Sequence, residues 1–108
     1  MRMNRDQCEV AMLRERMEKE GTWPHPPPMD AWAFLVTEVG EVGDVLMRLG
    51  YGRRGDYVRT HKLAVTTSHL RQEIADAYLM LLTLANLFEI NLSAALDDNI
   101  ERLEKKEE

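Results

Sequence analysis

From Ala77 to Phe88 the chain reads AYLMLLTLANLF, apolar nearly all the way round at helical spacing. A helix of that kind needs cover on every side. In a chain of 108 residues it must therefore be central and buried, with the other elements wrapped around it. The run is also too short to span a bilayer, which takes about 20 apolar residues. No strand-like alternation competes with it, so the expected fold class is all-α.

Three further helical stretches supply the cover. The first is expected from about Asn4 to Lys19, with Met3, Val10, Leu13 and Met17 on one face and Gly21 as its stop. Trp23-Pro24-His25-Pro26-Pro27-Pro28 follows as a stiff Pro-rich corner over 23–28. The second helix is expected from Asp30, read as an N-cap, to about Leu49. The third runs from about Ser68 to Glu89. The fourth opens at Asn91 or Ser93 and reaches about Lys106, with Leu92, Ala95 or Leu96, Ile100 and Leu103 as its stripe. No repeat or domain boundary is visible, so residues 1–108 read as a single four-helix domain. A domain this small buries only about 60–65% of the surface its unfolded chain exposes. Association into a homo-oligomer is therefore expected.

Composition excludes several classes. The net charge of −5 argues against a nucleic-acid polymer as partner. The N-terminal MRMNRDQCEV has no apolar signal region, and no membrane partner is expected. A single cysteine, Cys8, excludes an internal disulfide framework and fits a reducing, cytoplasmic setting. Its side chain is expected to be buried or half-buried.

The informative residues are acids in apolar company. Glu38 and Glu41 lie three apart on the second helix and share a face. The ordinary reading of such a pair is a solvated charged face. Taking Glu38 as 0° on an ideal helix, Ala31 and Leu49 fall at about 20°, Val42 at about 40°, Val45 at about 340° and Phe34 at about 320°. Glu38 thus sits inside the apolar stripe. Glu41, at about 300°, borders it, and Asp44, at about 240°, lies further toward the polar side. On the third helix Glu73 shares a line with Ala77, Met80 and Leu84, and Asp76 shares one with Met80, Thr83 and Leu87. Both are expected to face protein.

Buried ionised carboxylates cost several kcal/mol each unless paired or bound to metal. A divalent cation removes the mutual repulsion. Oxygen ligands without His or Cys select a hard ion, Mg²⁺ or Mn²⁺. Removing Glu38, Glu41, Glu73 and Asp76 takes the formal charge from −5 to −1, so much of the acidic excess is this set.

The order Glu38-Val39-Gly40-Glu41, a spacer, then Glu73-Ile74-Ala75-Asp76 resembles the MazG-like nucleoside triphosphate pyrophosphohydrolases. The flanking LVTEVGEVGDVL and LRQEIADAYLMLLTLANLFEINLSAAL are similar in flavour, and the resemblance covers about Ala31 to Leu103. It implies a four-helix all-α fold completed by dimerisation, as a homodimer or homotetramer. It also implies Mg²⁺ (Mn²⁺ as substitute) held by Glu38, Glu41, Glu73 and Asp76, and attack of water on the α-phosphorus of a nucleoside triphosphate. One glutamate orients or deprotonates that water, and the resemblance leaves open which. A house-cleaning role on modified nucleotides is a further implication. Three features depart from the pattern. The spacer Val42 to Gln72 is long, and Asn99 and Leu103 stand where many members carry Lys and Asn. The Arg-Tyr-Pro ending is absent. These departures bear on base and sugar recognition.

Cations for the phosphates are available. The basic loop of about 50–62 offers Arg53, Arg54, Arg59, His61 and Lys62 against Asp56, with Gly50, Gly52 and Gly55 for flexibility. It reads either as a phosphate clamp or as a solvated loop. Arg48 lies on the side of Glu41 and either balances the acids or touches phosphate. Trp23 and Trp32 read as base-stacking or, more commonly, packing groups. His69 reads as a partner of Glu73 or as a residue merely near a helix start.

Two rival classes stand beside the enzyme. A di-iron carboxylate bundle uses Glu-x-x-His pairs, and no Glu here has a His three residues later. A non-catalytic helical interaction module would instead pair its acids with Arg48, Arg53 or Arg71.

Overall fold

The structure is a computed structural model that describes residues 4–22, 25–48 and 67–106. The described residues form four α-helices: α1 (Arg5–Glu20), α2 (Pro28–Arg48), α3 (Thr67–Leu87) and α4 (Leu92–Lys106). Among them there is no strand, in agreement with the all-α expectation. No single helix among them is long and apolar enough to cross a membrane.

The chain divides into two compact units, Met1–Pro28 with Leu82–Glu108, and Met29–Leu81. The helix α3 contributes to both.

In the first unit, Asn4 caps α1 by accepting from the Gln7 backbone N–H at 2.8 Å. The helix ends in a Schellman motif. Gly21 adopts φ 75°, its N–H donates to Glu18 O, and the Thr22 N–H donates to Met17 O. The end of α3 repeats the motif with a different residue. Glu89 takes φ 54°, its N–H donates to Asn86 O at 3.2 Å, and the Ile90 N–H donates to Ala85 O at 3.0 Å. Asn91 then caps α4, accepting from the Ala94 N–H at 3.1 Å. This turn bends α4 away from α3 by 98°.

The buried face of α1 is more polar than its sequence suggests. Val10 is buried, and so are Gln7 and Arg14, one turn to either side. Both bond to the end of α3 or the turn after it, although the Arg14 Nε is buried with no hydrogen-bond partner. The Gln7 amide donates to Asn86 Oδ1 at 3.0 Å and to Ile90 O at 2.6 Å, and accepts from the Leu92 N–H at 2.9 Å. Asn86 Nδ2 returns a bond to Gln7 O at 3.1 Å. Arg14 donates to Thr83 Oγ1 at 3.0 Å. Asn86 is thus a satisfied polar group at a helix contact. Cys8 is exposed, not buried, because the inward face runs through Gln7, Val10 and Arg14 and leaves Cys8 beside it.

In the second unit, α2 turns inward along Ala31, Leu35, Glu38, Val42 and Val45, all buried or half-buried, and α3 along Leu70, Glu73, Ala77 and Met80. Asp30 is not the N-cap of α2. The helix begins two residues earlier at Pro28, whose missing N–H suits the first turn, and Asp30 sits within that turn where its charge favours the dipole. Nor is α3 enclosed all round. Met80, Leu82, Thr83 and Ala85 are buried, but Ile74, Tyr78 and Leu81 are 51%, 45% and 41% exposed. The buried residues cluster between Met80 and Ala85, and the N-terminal half of α3 is the more open part.

Candidate metal centre

The inward lines of α2 and α3 each carry one acid among apolar neighbours. On α2 it is Glu38, between Leu35 and Val42. On α3 it is Glu73, between Leu70 and Ala77. The sequence periodicity had placed both on these faces, and there they stand. Glu38, Glu73 and Asp76 each bring a carboxylate oxygen within 4.8 Å of the others. Glu41 is not part of that group; from the rim its charge acts on both Glu38 and Glu73.

The four acids differ in cover. Glu38 is half-buried and the Glu73 side chain is only 15% exposed. Glu41 is exposed, as its border position implies. Asp76 is exposed too, which corrects the expectation that it faces protein. Its line continues to buried Met80 and Thr83, but the α3 surface around Ile74 and Tyr78 is open at this level.

Electrostatics follow from the crowding. Burial pushes the Glu38 carboxyl above its ordinary value, and the charges of Glu41, Asp76 and Glu73 push it further. The hydrogen bond shared with Glu41 raises Glu73, as do burial and the charges of Glu41 and Asp76, while His69 pulls the other way. Glu38 Oε2 and Glu73 Oε2 are enclosed and have no hydrogen-bond partner. Buried acceptors of this kind are uncommon and call for an explanation.

The donor set fits a hard divalent cation. It consists of carboxylate oxygens, and two of the three residues, Glu38 and Glu73, each carry an enclosed oxygen without a hydrogen-bond partner. Bonds of about 2.0–2.1 Å to a Mg²⁺ ion put its ligand oxygens within about 4.2 Å of one another, a small contraction of the set described here. Among the described residues the cluster's ion-pair contact with a basic group is His69 Nε2 to Glu73 Oε1, at 3.6 Å.

The cationic residues are distributed differently. Arg48 pairs with Asp44 at 3.1 Å in an exposed contact, so it is engaged by the outer acid of α2 and not by the cluster. Arg53, Arg54 and Lys62 lie outside the described residues, as do Arg59, His61 and Trp23. Trp32 is 51% exposed.

One polar site escaped the sequence reading. In the first unit a cavity of about 220 Å³ is lined by Arg14, His25, Thr83, Asn86 and Glu89, together with Ala11 and Leu87. Burial holds the Arg14 guanidinium below its ordinary pKa. The signal was present as Gln7 and Arg14 seven residues apart, with Val10 on the same face, but polar residues on a short helix read as solvated.

Compared with known proteins, the chain matches no family model, no curated protein and no solved structure.

Proposed function

We propose that this chain is a magnesium-dependent nucleotide pyrophosphohydrolase, splitting an NTP or dNTP into the monophosphate and pyrophosphate. The observation that carries the reading is the pair of enclosed, unpartnered oxygens, Glu38 Oε2 and Glu73 Oε2, with Asp76 alongside. They occur in the order and spacing that resemble the MazG-like enzymes. In this reading Glu38, Glu41, Glu73 and Asp76 hold Mg²⁺ or Mn²⁺.

The bound ion supplies charge neutralisation on phosphate and a more acidic water. The side chains do the rest. The apolar flanks of Glu38 and Glu73 keep their carboxylates aimed inward. Glu41, exposed at the rim, would take the proton as water attacks the α-phosphorus. The bond from the α-phosphorus to the bridging oxygen then breaks, and pyrophosphate leaves with the electron pair. Arg53, Arg54 and Lys62 are assigned to the leaving phosphates. Arg48 would join them by exchanging Asp44 for phosphate.

The reading includes a homodimer or homotetramer in a reducing cytoplasm. Among the described residues of the single chain, sixteen large apolar ones are exposed, more than scattered surface hydrophobes explain. That observation also supports the rival, a non-catalytic helical interaction module. Against the rival, the one described arginine of α2, Arg48, pairs outside the acid cluster.

The test is pyrophosphate release from a panel of standard and modified NTPs and dNTPs, with Mg²⁺, with Mn²⁺ and with EDTA. Metal-dependent release with monophosphate as co-product is expected. Silence across the panel, with no Mg²⁺ shift in melting temperature, would replace this reading with the interaction module.

A further inference from the structure

We propose that His69 is a positioning residue, holding one oxygen of Glu73 so that the other is presented to the cation; this rests on the metal-site reading above. Glu73 is crowded by acids. A carboxylate oxygen of Glu38 and one of Asp76 lie within 4.8 Å of one of its own. A basic group faces it as well. His69, one turn earlier on α3, brings Nε2 to 3.6 Å from Glu73 Oε1. The two oxygens of Glu73 are thereby distinguished. Oε1 is turned toward the imidazole, and Oε2 is enclosed without a partner.

Helix stability does not account for the placement. His69 is the third residue of α3, in a first turn that holds no acid. A basic group there gains nothing from the helix dipole, which favours anions at that end. Nor does packing explain it, since its side chain is 47% exposed. It does make an ion-pair contact with Glu73. At 3.6 Å the contact is longer than a hydrogen bond, and binding an ion through Oε2 is expected to shorten it. Groups that hold a metal ligand from behind typically change affinity by about 10–100-fold when removed. A half-exposed contact belongs at the lower end.

The experiment is Mn²⁺ binding to the whole chain without nucleotide, read by electron paramagnetic resonance. The wild type, His69→Ala and His69→Gln are compared, with melting temperatures in parallel. Glutamine offers an amide N–H at about the reach of the imidazole Nε2. The expected result is Mn²⁺ binding about tenfold weaker in His69→Ala, largely recovered in His69→Gln, with melting temperatures unchanged. Equal affinity in wild type and His69→Ala would overturn the proposal and leave the metal site standing. Equal loss in both variants would overturn it too, because a packing role gives that pattern. No Mn²⁺ binding by the wild type would overturn the metal-site reading itself, and this inference with it.

Discussion

Glu38 and Gln7 are both polar groups on inward faces, and they are treated differently. Gln7 has every hydrogen-bonding atom of its amide engaged, whereas Glu38 has an enclosed oxygen with nothing to bond. Removing each should therefore move stability in opposite directions. Gln7→Ala removes the partner of Asn86 Oδ1, Ile90 O and the Leu92 N–H, which are part-buried, and a loss of about 1–3 kcal/mol is expected in urea unfolding. Glu38→Gln removes repulsion and should raise the melting temperature of the metal-free protein while abolishing any Mg²⁺ response. The pH dependence has a definite sign. Glu38 and Glu73 have folded pKa values above their ordinary ones, so the folded state holds more protons than the unfolded chain. Their contribution is most favourable below the ordinary carboxylate pKa. It is lost as pH rises through the raised values, and flat beyond. The gain from Glu38→Gln should accordingly be large at neutral pH and shrink in acid, as followed by melting temperature from pH 4 to 8 (a range of about four units around these pKa values). A gain that did not change with pH would place its cause in packing instead. The inward aim of Glu38 and Glu73 was legible from period alone, because apolar neighbours a turn away fix the face. The inward aim of Gln7 and Arg14 was not, since their partners lie on another helix 79 and 69 residues along.

At the scale of elements, the same stop signal is written twice with different residues. Both α1 and α3 end in a Schellman motif, with Gly21 at φ 75° in one and Glu89 at φ 54° in the other. A side chain in the left-handed region carries a steric penalty that glycine escapes. Glu89→Gly is expected to stabilise by about 0.5–1 kcal/mol, net of the entropy glycine loses on folding, and Gly21→Ala to destabilise by about 1 kcal/mol. Thermal unfolding of the two variants checks both signs. The contrast also shows why helix ends were unevenly readable. The stop at Gly21 is visible from residue type, whereas Glu89 looks like one more helical residue and drew the expected end of α3 past Leu87. The early start of α2 has a similar origin. Asp30 has the chemistry of a cap, but three prolines before it let the helix begin at Pro28.

The whole molecule leaves much of its apolar surface uncovered. Leu96, Ile100 and Leu103, the stripe expected on α4, are 58%, 45% and 54% exposed, and α4 has no buried residue. On α2, Trp32, Val39 and Met47 are exposed on the outward side, and Phe34 is 46% exposed at the edge of the inward stripe. The periodicity marked these residues as faces needing a partner, but no period says whether the partner is in the same chain. On the proposed homo-oligomer, Ile100→Glu combined with Leu103→Glu should convert the assembly to monomer in light scattering, with the four helices retained by circular dichroism. An unchanged mass would locate the association on α2 and α3 instead. A further consequence follows from which segments make each compact unit. Residues 29–81 form one unit from a continuous stretch, while the other joins the two flanking stretches. A chain leaves the ribosome from its N-terminus, at about 5–20 residues per second. The acid-bearing helix pair can therefore close while α4 is still being made. Gln7 must wait for Asn86, Ile90 and Leu92 before its amide has these partners to hold, so α1, though made before α2 and α3, is among the last of the four to dock.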